Sequence, residues 1–125
     1  MKKIINTQNA PEAIGPYSQG VIIDKLVYTS GQLPINPKTK VLETEIKKAT
    51  KQSIENCKAI LEEAGTNLEN VIKTTVFVKD LNDFSAVNEV YAKFFTQNFP
   101  ARSCVQIAKL PMDAPVEIEV IATSY

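Results

Sequence analysis

Small and apolar residues recur at steps of three and four between Ile46 and Ala64: Ile46, Ala49, Ser53, Ile54, Cys57, Ile60, Leu61 and Ala64. That spacing predicts one amphipathic helix with lysines and glutamates on its far side. Thr44 is the expected N-cap, Glu45 suits the positive first turn, and Gly65 suits the left-handed residue beyond the last turn. Cys57 falls on the apolar stripe and is expected to pack as a small hydrophobe. A second helix is predicted after the capping run Asp80-Leu81-Asn82-Asp83. Its face is Phe84, Val87, Tyr91 and Phe94, with Val90 and Phe95 alongside, and Pro100 bars its continuation.

Elsewhere the period drops to two. Val21-Ile22-Ile23 and Leu26-Val27-Tyr28-Thr29 flank Asp24-Lys25 and predict a hairpin, with Lys3–Ile5 allowing a short strand before it. Pro34 to Val41 holds little that could enter a core and reads as a surface loop. Val71–Val78 is rich in β-branched residues and predicts a strand. Ser103–Ala108 and Pro115–Thr123 predict the last two, separated by a turn at Pro111-Met112-Asp113-Ala114. The order ββ-α-β-α-ββ predicts an α+β fold, a sheet with two helices on one face. Val116, Ile118, Val120 and Ala122 belong under the helices. The opposite face, Glu117, Glu119, Ile121 and Thr123, is mixed, which fits either a solvated antiparallel face or one covered by another copy of the chain.

The chain has 125 residues, 44% hydrophobic and 22% charged, a length that fits a single domain over residues 1–125. Lys+Arg and Asp+Glu are 14 each, so the basic excess of a constitutive nucleic-acid binder is missing. No apolar run approaches a membrane span and no signal-type h-region follows Met1-Lys2-Lys3-Ile4-Ile5, so no membrane association is expected. Cys57 and Cys104 form no C-x-x-C and no disulfide framework, which predicts a cytoplasmic protein with reduced thiols. With His 0, Ser-His-Asp, Cys-His and His-ligated metal chemistries are absent.

One cation differs from the rest. Arg102 is the single arginine among the 14 basic residues. A planar guanidinium can grip a carboxylate or phosphate through two parallel hydrogen bonds, where an ammonium acts as a point charge. Its place in Pro100-Ala101-Arg102-Ser103-Cys104, at the start of a strand, fits a ligand anchor and equally a structural ion pair. If the last two strands are neighbours, Glu117 or Glu119 approaches Arg102, balances it, and orients or deprotonates a water; otherwise the two are solvated glutamates. Cys104 as a nucleophile would have only the Arg102 field to activate it, so a positional role with its backbone N–H at the strand edge is favoured. Ser30-Gly31 offers an N–H unobstructed by a β-carbon. Tyr17, after Gly-Pro in a loop, reaches a pocket or the surface, and Asn88 on the flank of the second helix joins a polar network or faces water. No P-loop, G-x-G-x-x-G, G-x-S-x-G or zinc spacing occurs, leaving an anion pocket with no metal and no cofactor.

Five segments in order then carry a resemblance: Ala13-Ile14-Gly15-Pro16-Tyr17-Ser18-Gln19, Thr29-Ser30-Gly31-Gln32-Leu33-Pro34, Lys73 to Leu81, Pro100-Ala101-Arg102-Ser103-Cys104 and Val116-Glu117-Ile118-Glu119. Together they resemble the Rid (YjgF) family over nearly the whole chain, and within it the RidA subgroup of 2-iminobutanoate/2-iminopropanoate deaminases. The resemblance implies a chorismate-mutase-like fold of the bacillus type, assembled as a homotrimer around a central barrel, with ligand sites in clefts between subunits. It implies hydrolysis of reactive 2-enamine or 2-imino acids, released by pyridoxal-phosphate-dependent dehydratases, to 2-oxo acids and ammonia. Arg102 matches the arginine that holds the substrate carboxylate and Glu117 the acid that positions water. Gly31 and Cys104 match backbone donors; Tyr17, Ser30 and Asn88 match residues lining the cleft. The competing readings are a non-catalytic module that senses 2-oxo acids, and a holdase-like or ribonuclease-like activity. Neutral net charge and the lack of histidine weigh against a ribonuclease.

Overall fold

A computed structural model describes residues 1–124. Six strands, β1 (Lys3–Ile5), β2 (Gly20–Ile23), β3 (Leu26–Thr29), β4 (Val71–Val78), β5 (Ala101–Gln106) and β6 (Val116–Thr123), form one sheet in the order β1-β2-β3-β6-β4-β5. The β4–β5 pair is parallel and the other pairs are antiparallel. Helices α1 (Ile46–Glu63) and α2 (Phe84–Phe94) pack on one face. Among the described residues no helix is long and apolar enough to cross a membrane.

The alternation in β6 is borne out: Val116, Ile118, Val120 and Ala122 are 0, 0, 2 and 0% exposed, with Glu117, Glu119, Ile121 and Thr123 part-exposed between them. Along α1 the predicted stripe is buried from Ala49 to Leu61, joined by Thr50 and Asn56. The Asn56 side-chain amide donates to the carbonyls of Leu33 (3.0 Å) and Ile35 (2.9 Å). It thereby ties down the segment expected to be a plain surface loop, where Pro34 is buried and Ile35 bridges Leu42. Gly65 takes its left-handed conformation, φ +86°.

Several expectations need correction. The N-cap of α1 is Glu45, not Thr44: the Glu45 carboxylate reaches the Lys48 N–H at 2.7 Å, which a threonine one residue earlier cannot. In α2 the buried residues are Val87, Val90 and Tyr91, with Phe95 just beyond, whereas Phe84 is exposed and Phe94 half-buried. Strand β5 begins at Ala101 and ends at Gln106, two residues earlier than expected at each end. Most consequentially, the last two strands are not neighbours. β6 lies between β3 and β4, and β5 takes the sheet edge beyond β4.

The face away from the helices carries Ile4, Ile23, Tyr28 and Val105, all exposed, beside part-exposed Val21, Phe77 and Ile121. Such a run of apolar side chains across four or more strands is unusual for a surface facing water.

Candidate active site

The seven residues singled out from the sequence fall into two groups. Tyr17, Ser30, Gly31 and Glu117 line an open pocket of about 460 Å³, with Gln19, Ile35 and Met112 among its other walls. Arg102, Asn88 and Cys104 cluster elsewhere, where α2 covers the sheet edge.

The first group is built on a break in strand pairing. β3 ends at Thr29, and the chain rejoins the sheet when Gln32 pairs with Ile118, exchanging hydrogen bonds of 2.8 and 3.2 Å. Ser30 and Gly31 bulge out between these two anchor points. Both Ser30 donors are used inside the chain: its N–H goes to the Gln19 carbonyl at 2.8 Å and its hydroxyl to the Ser18 carbonyl. Ser30 therefore shapes the pocket wall and has no donor to spare for a ligand. The Gly31 N–H has no acceptor among the described residues. Gly31 also lies so close to Glu117 that a β-carbon would sit 2.8 Å from the carboxyl carbon.

Behind this wall stands Gln19, 2% exposed, which sequence reading noted only as part of a motif. Its carbonyl oxygen accepts from Thr7 N–H at 2.7 Å. Its amide nitrogen lies 3.0, 3.3 and 2.8 Å from the carbonyls of Thr7, Ala10 and Pro11. The segment that forms the outer pocket rim is thus fastened by one side chain. The Glu117 carboxyl is half-buried, and burial first, then the Glu119 charge, push its pKa above 4.5. A carboxyl held this way is suited to exchange a proton with a reacting water.

In the second group, the parallel register sets Thr74 beside Arg102, Val76 beside Cys104 and Val78 beside Gln106. Thr74, Val76 and Val78 are fully buried under the helices, so Arg102 and Cys104 project to that same covered face. The Arg102 Nη1 donates to Asn88 Oδ1 at 2.6 Å. Its guanidinium carbon lies 4.8 Å from the Tyr91 ring centroid and 5.4 Å from that of Phe84. Among the described residues no carboxylate pairs with it. The structural ion pair that the sequence left open is therefore not what occupies Arg102.

Ile107 donates its N–H to Val78 on β4, so by alternation the N–H groups of Arg102 and Cys104 point away from β4 to the free sheet edge. The Cys104 N–H is thus left at the strand edge. Its thiol is pushed up by burial, against a smaller lowering by Arg102, and so stays protonated and weakly nucleophilic.

The approach of Glu117 or Glu119 to Arg102 that neighbouring last strands would allow does not occur within one chain. Glu117 pairs with Phe77 and Glu119 with Thr75, whereas Arg102 pairs with Thr74, which pairs with Val120. Arg102 lies on the helix-covered face and the two glutamates on the open one, with β4 between them. The approach required the last two strands to be neighbours, and β4 separates them. The aromatic residues around Arg102 were read from the sequence as core of α2. The signal that could have found them is the spacing of Phe84, Asn88 and Tyr91, which puts all three on one helix stripe.

Comparison with known proteins agrees with this architecture. A 2-iminobutanoate/2-iminopropanoate deaminase of Salmonella typhimurium is 54% identical over 125 residues, covering 98% of each chain. The solved YjgF gene product of Escherichia coli superimposes with a TM-score of 0.95 at 52% identity, covering 98% of this chain and 99% of that one. TdcF of Escherichia coli, solved with bound serine, gives 0.94 at 50% identity, covering 97% and 98%. The family model described as Endoribonuclease L-PSP matches residues 7–124. A lone arginine held at the sheet edge by an asparagine and two aromatic rings, a carboxyl pocket on the opposite face and these likenesses lead to one assignment: the chain belongs to the Endoribonuclease L-PSP family, that of YjgF and the Rid proteins.

Proposed function

We propose that this protein is a hydrolase that deaminates reactive 2-imino acids, 2-iminobutanoate and 2-iminopropanoate, to 2-oxo acids and ammonia. The observation that carries the reading is the Arg102 guanidinium, held at the sheet edge by Asn88 and two aromatic rings and paired with no carboxylate among the described residues. Its remaining N–H groups form a fork matched to a small carboxylate. The named activity of the Salmonella relative, and the serine seen in TdcF, supply ligands of the right chemical class.

The chemistry asks little of the protein. A protonated imine carbon is already electrophilic, so water adds to it once aimed. Arg102 holds the substrate carboxylate, with the Gly31 and Cys104 N–H groups as further donors, and Glu117 takes a proton as water attacks. Protonated Glu117 then returns that proton to the carbinolamine nitrogen, ammonia leaves, and the hydroxyl proton passes back to the carboxylate as the carbonyl of the 2-oxo acid closes. Water is consumed, ammonia is released, and no electrons change hands. Fixing the carboxylate and aiming the water provide the rate, and neither step requires a metal or cofactor. Tyr17 and Ser30 shape the cleft.

Arg102 and Glu117 sit on opposite sheet faces, so a site using both takes one from each of two copies. The apolar open face is the surface a second copy would cover, and we read the assembly as a homotrimer with sites between subunits. Both cysteines are free, in keeping with a reducing cytoplasm.

The test is ammonia release from an imine generated in place by an amino acid oxidase or dehydratase. The wild type should accelerate it and Arg102→Ala should abolish most of the gain, with Arg102→Lys falling well short of wild type. Binding of 2-oxo acids without acceleration of any imine would instead make the protein a sensor.

A further inference from the structure

We propose that Tyr91, assisted by Phe84, is a positioning residue that sets the plane of the Arg102 guanidinium before any ligand arrives. This rests on the reading of Arg102 as the carboxylate anchor.

Phe84, Asn88 and Tyr91 occupy positions i, i+4 and i+7 of α2, a single stripe facing the edge strand β5. All three touch the guanidinium: Asn88 by a hydrogen bond at one nitrogen, the rings at 4.8 Å for Tyr91 and 5.4 Å for Phe84. A cation over a ring face is drawn to its quadrupole, and a planar guanidinium also stacks. Asn88 alone fixes one point of the fork; the rings limit its rotation about that point.

Tyr91 is itself anchored. Its hydroxyl lies 2.8 Å from the hydroxyl of fully buried Thr74, the residue in register with Arg102 on the neighbouring strand. The Phe95 ring packs against it with centroids 4.5 Å apart. A chain of contacts therefore runs from the buried centre of the sheet through Thr74 and Tyr91 to the guanidinium. An arginine on a free strand edge otherwise spreads over many rotamers, and ordering it would fall to the ligand. Because the carboxylate is held alike before and during reaction, the loss should appear in KM and in 2-oxo acid affinity, with kcat little changed.

The probe is 2-oxobutanoate, titrated by calorimetry alongside KM and kcat for its imine. Tyr91→Leu should weaken both KM and Kd about tenfold, and the more exposed Phe84→Leu about threefold, while Tyr91→Phe, which keeps the ring and its Phe95 contact but loses the Thr74 anchor, should fall between wild type and Tyr91→Leu. In an Arg102→Lys background, which cannot stack or present the fork, Tyr91→Leu should add less than about twofold, although its loss of melting temperature persists. Phe84→Leu keeps the test decisive should Tyr91→Leu fail to fold. Equal weakening by Tyr91→Leu with and without Arg102, or wild-type affinity in both folded leucine variants, would overturn the proposal. A wild type that does not bind 2-oxobutanoate would overturn the anchor reading and this one with it, whereas a binding wild type with indifferent leucine variants overturns this one alone.

Discussion

Gly31 and Glu117 are packed so tightly that a β-carbon on the glycine would lie 2.8 Å from the carboxyl carbon and 2.9 Å from one of its oxygens. The clash falls on the mobile end of a flexible side chain, so the backbone need not move. Gly31→Ala should leave the melting temperature nearly unchanged while displacing the Glu117 carboxylate. Misplacing a reacting group by about 1 Å costs on the order of a hundredfold in rate, and a loss of about 10- to 100-fold in kcat is expected. A stable Gly31→Ala protein with wild-type kcat would show that this carboxylate does not handle the water.

Glu117 also links activity to stability. Burial and the Glu119 charge raise its pKa in the fold above 4.5. A carboxyl with a raised folded pKa stabilises the fold below its unfolded pKa and loses that contribution as pH rises through the folded value. At neutral pH the ionised group is therefore a cost. Glu117→Gln should melt higher than wild type at neutral pH and lose most of that gain at about pH 4, where the carboxyl is mainly protonated in the folded and unfolded states. Its deaminase activity should fall at the same time. In Glu119→Gln, removal of the neighbouring charge should move the acid limb of the kcat/KM profile to lower pH. Differential scanning fluorimetry and a pH–rate series decide both points.

Cys104 offers a test of mechanism class. Burial keeps its thiol protonated, and the group it presents to the free edge is its backbone N–H. Cys104→Ala removes the sulfur and retains that donor, so kcat should stay within about fivefold of wild type, far from the losses of 10⁴ or more seen when a true nucleophile is removed. Loss of activity on that larger scale, with the fold intact, would return the thiol to the reaction.

How much of this was legible in the sequence follows from how local each feature is. The stripe from Ala49 to Leu61 and the alternation from Val116 to Ala122 are set by the period of their own segments, and both emerged as read. Arg102 stood out because one guanidinium among lysines is a choice of shape rather than charge. The place of β6 between β3 and β4 was not legible, because strand pairing across distant segments is decided by packing of the whole sheet. Every inference that needed Glu117 beside Arg102 in one chain failed with it. Tyr91 was read correctly as buried and incompletely as to purpose, since periodicity reports that a face is covered and not whether a cation covers it. Gln19 carried no periodic signal at all: its role lies in carbonyls eight to twelve residues away.

The opposite placement of Arg102 and Glu117 yields a test that needs no structure of the assembly. Arg102→Ala and Glu117→Gln should each be close to inactive alone. When the two are co-expressed or refolded together, a site that takes its arginine from one copy and its carboxylate from the next is intact in about a quarter of random pairings. The mixture should therefore recover about a quarter of wild-type activity, and the separate proteins mixed without subunit exchange should recover none. If both groups acted from one chain, every site would carry a lesion and mixing would restore nothing. Native mass spectrometry establishes that hybrid oligomers have formed, so an inactive hybrid would mean that Arg102 and Glu117 do not act together across two copies.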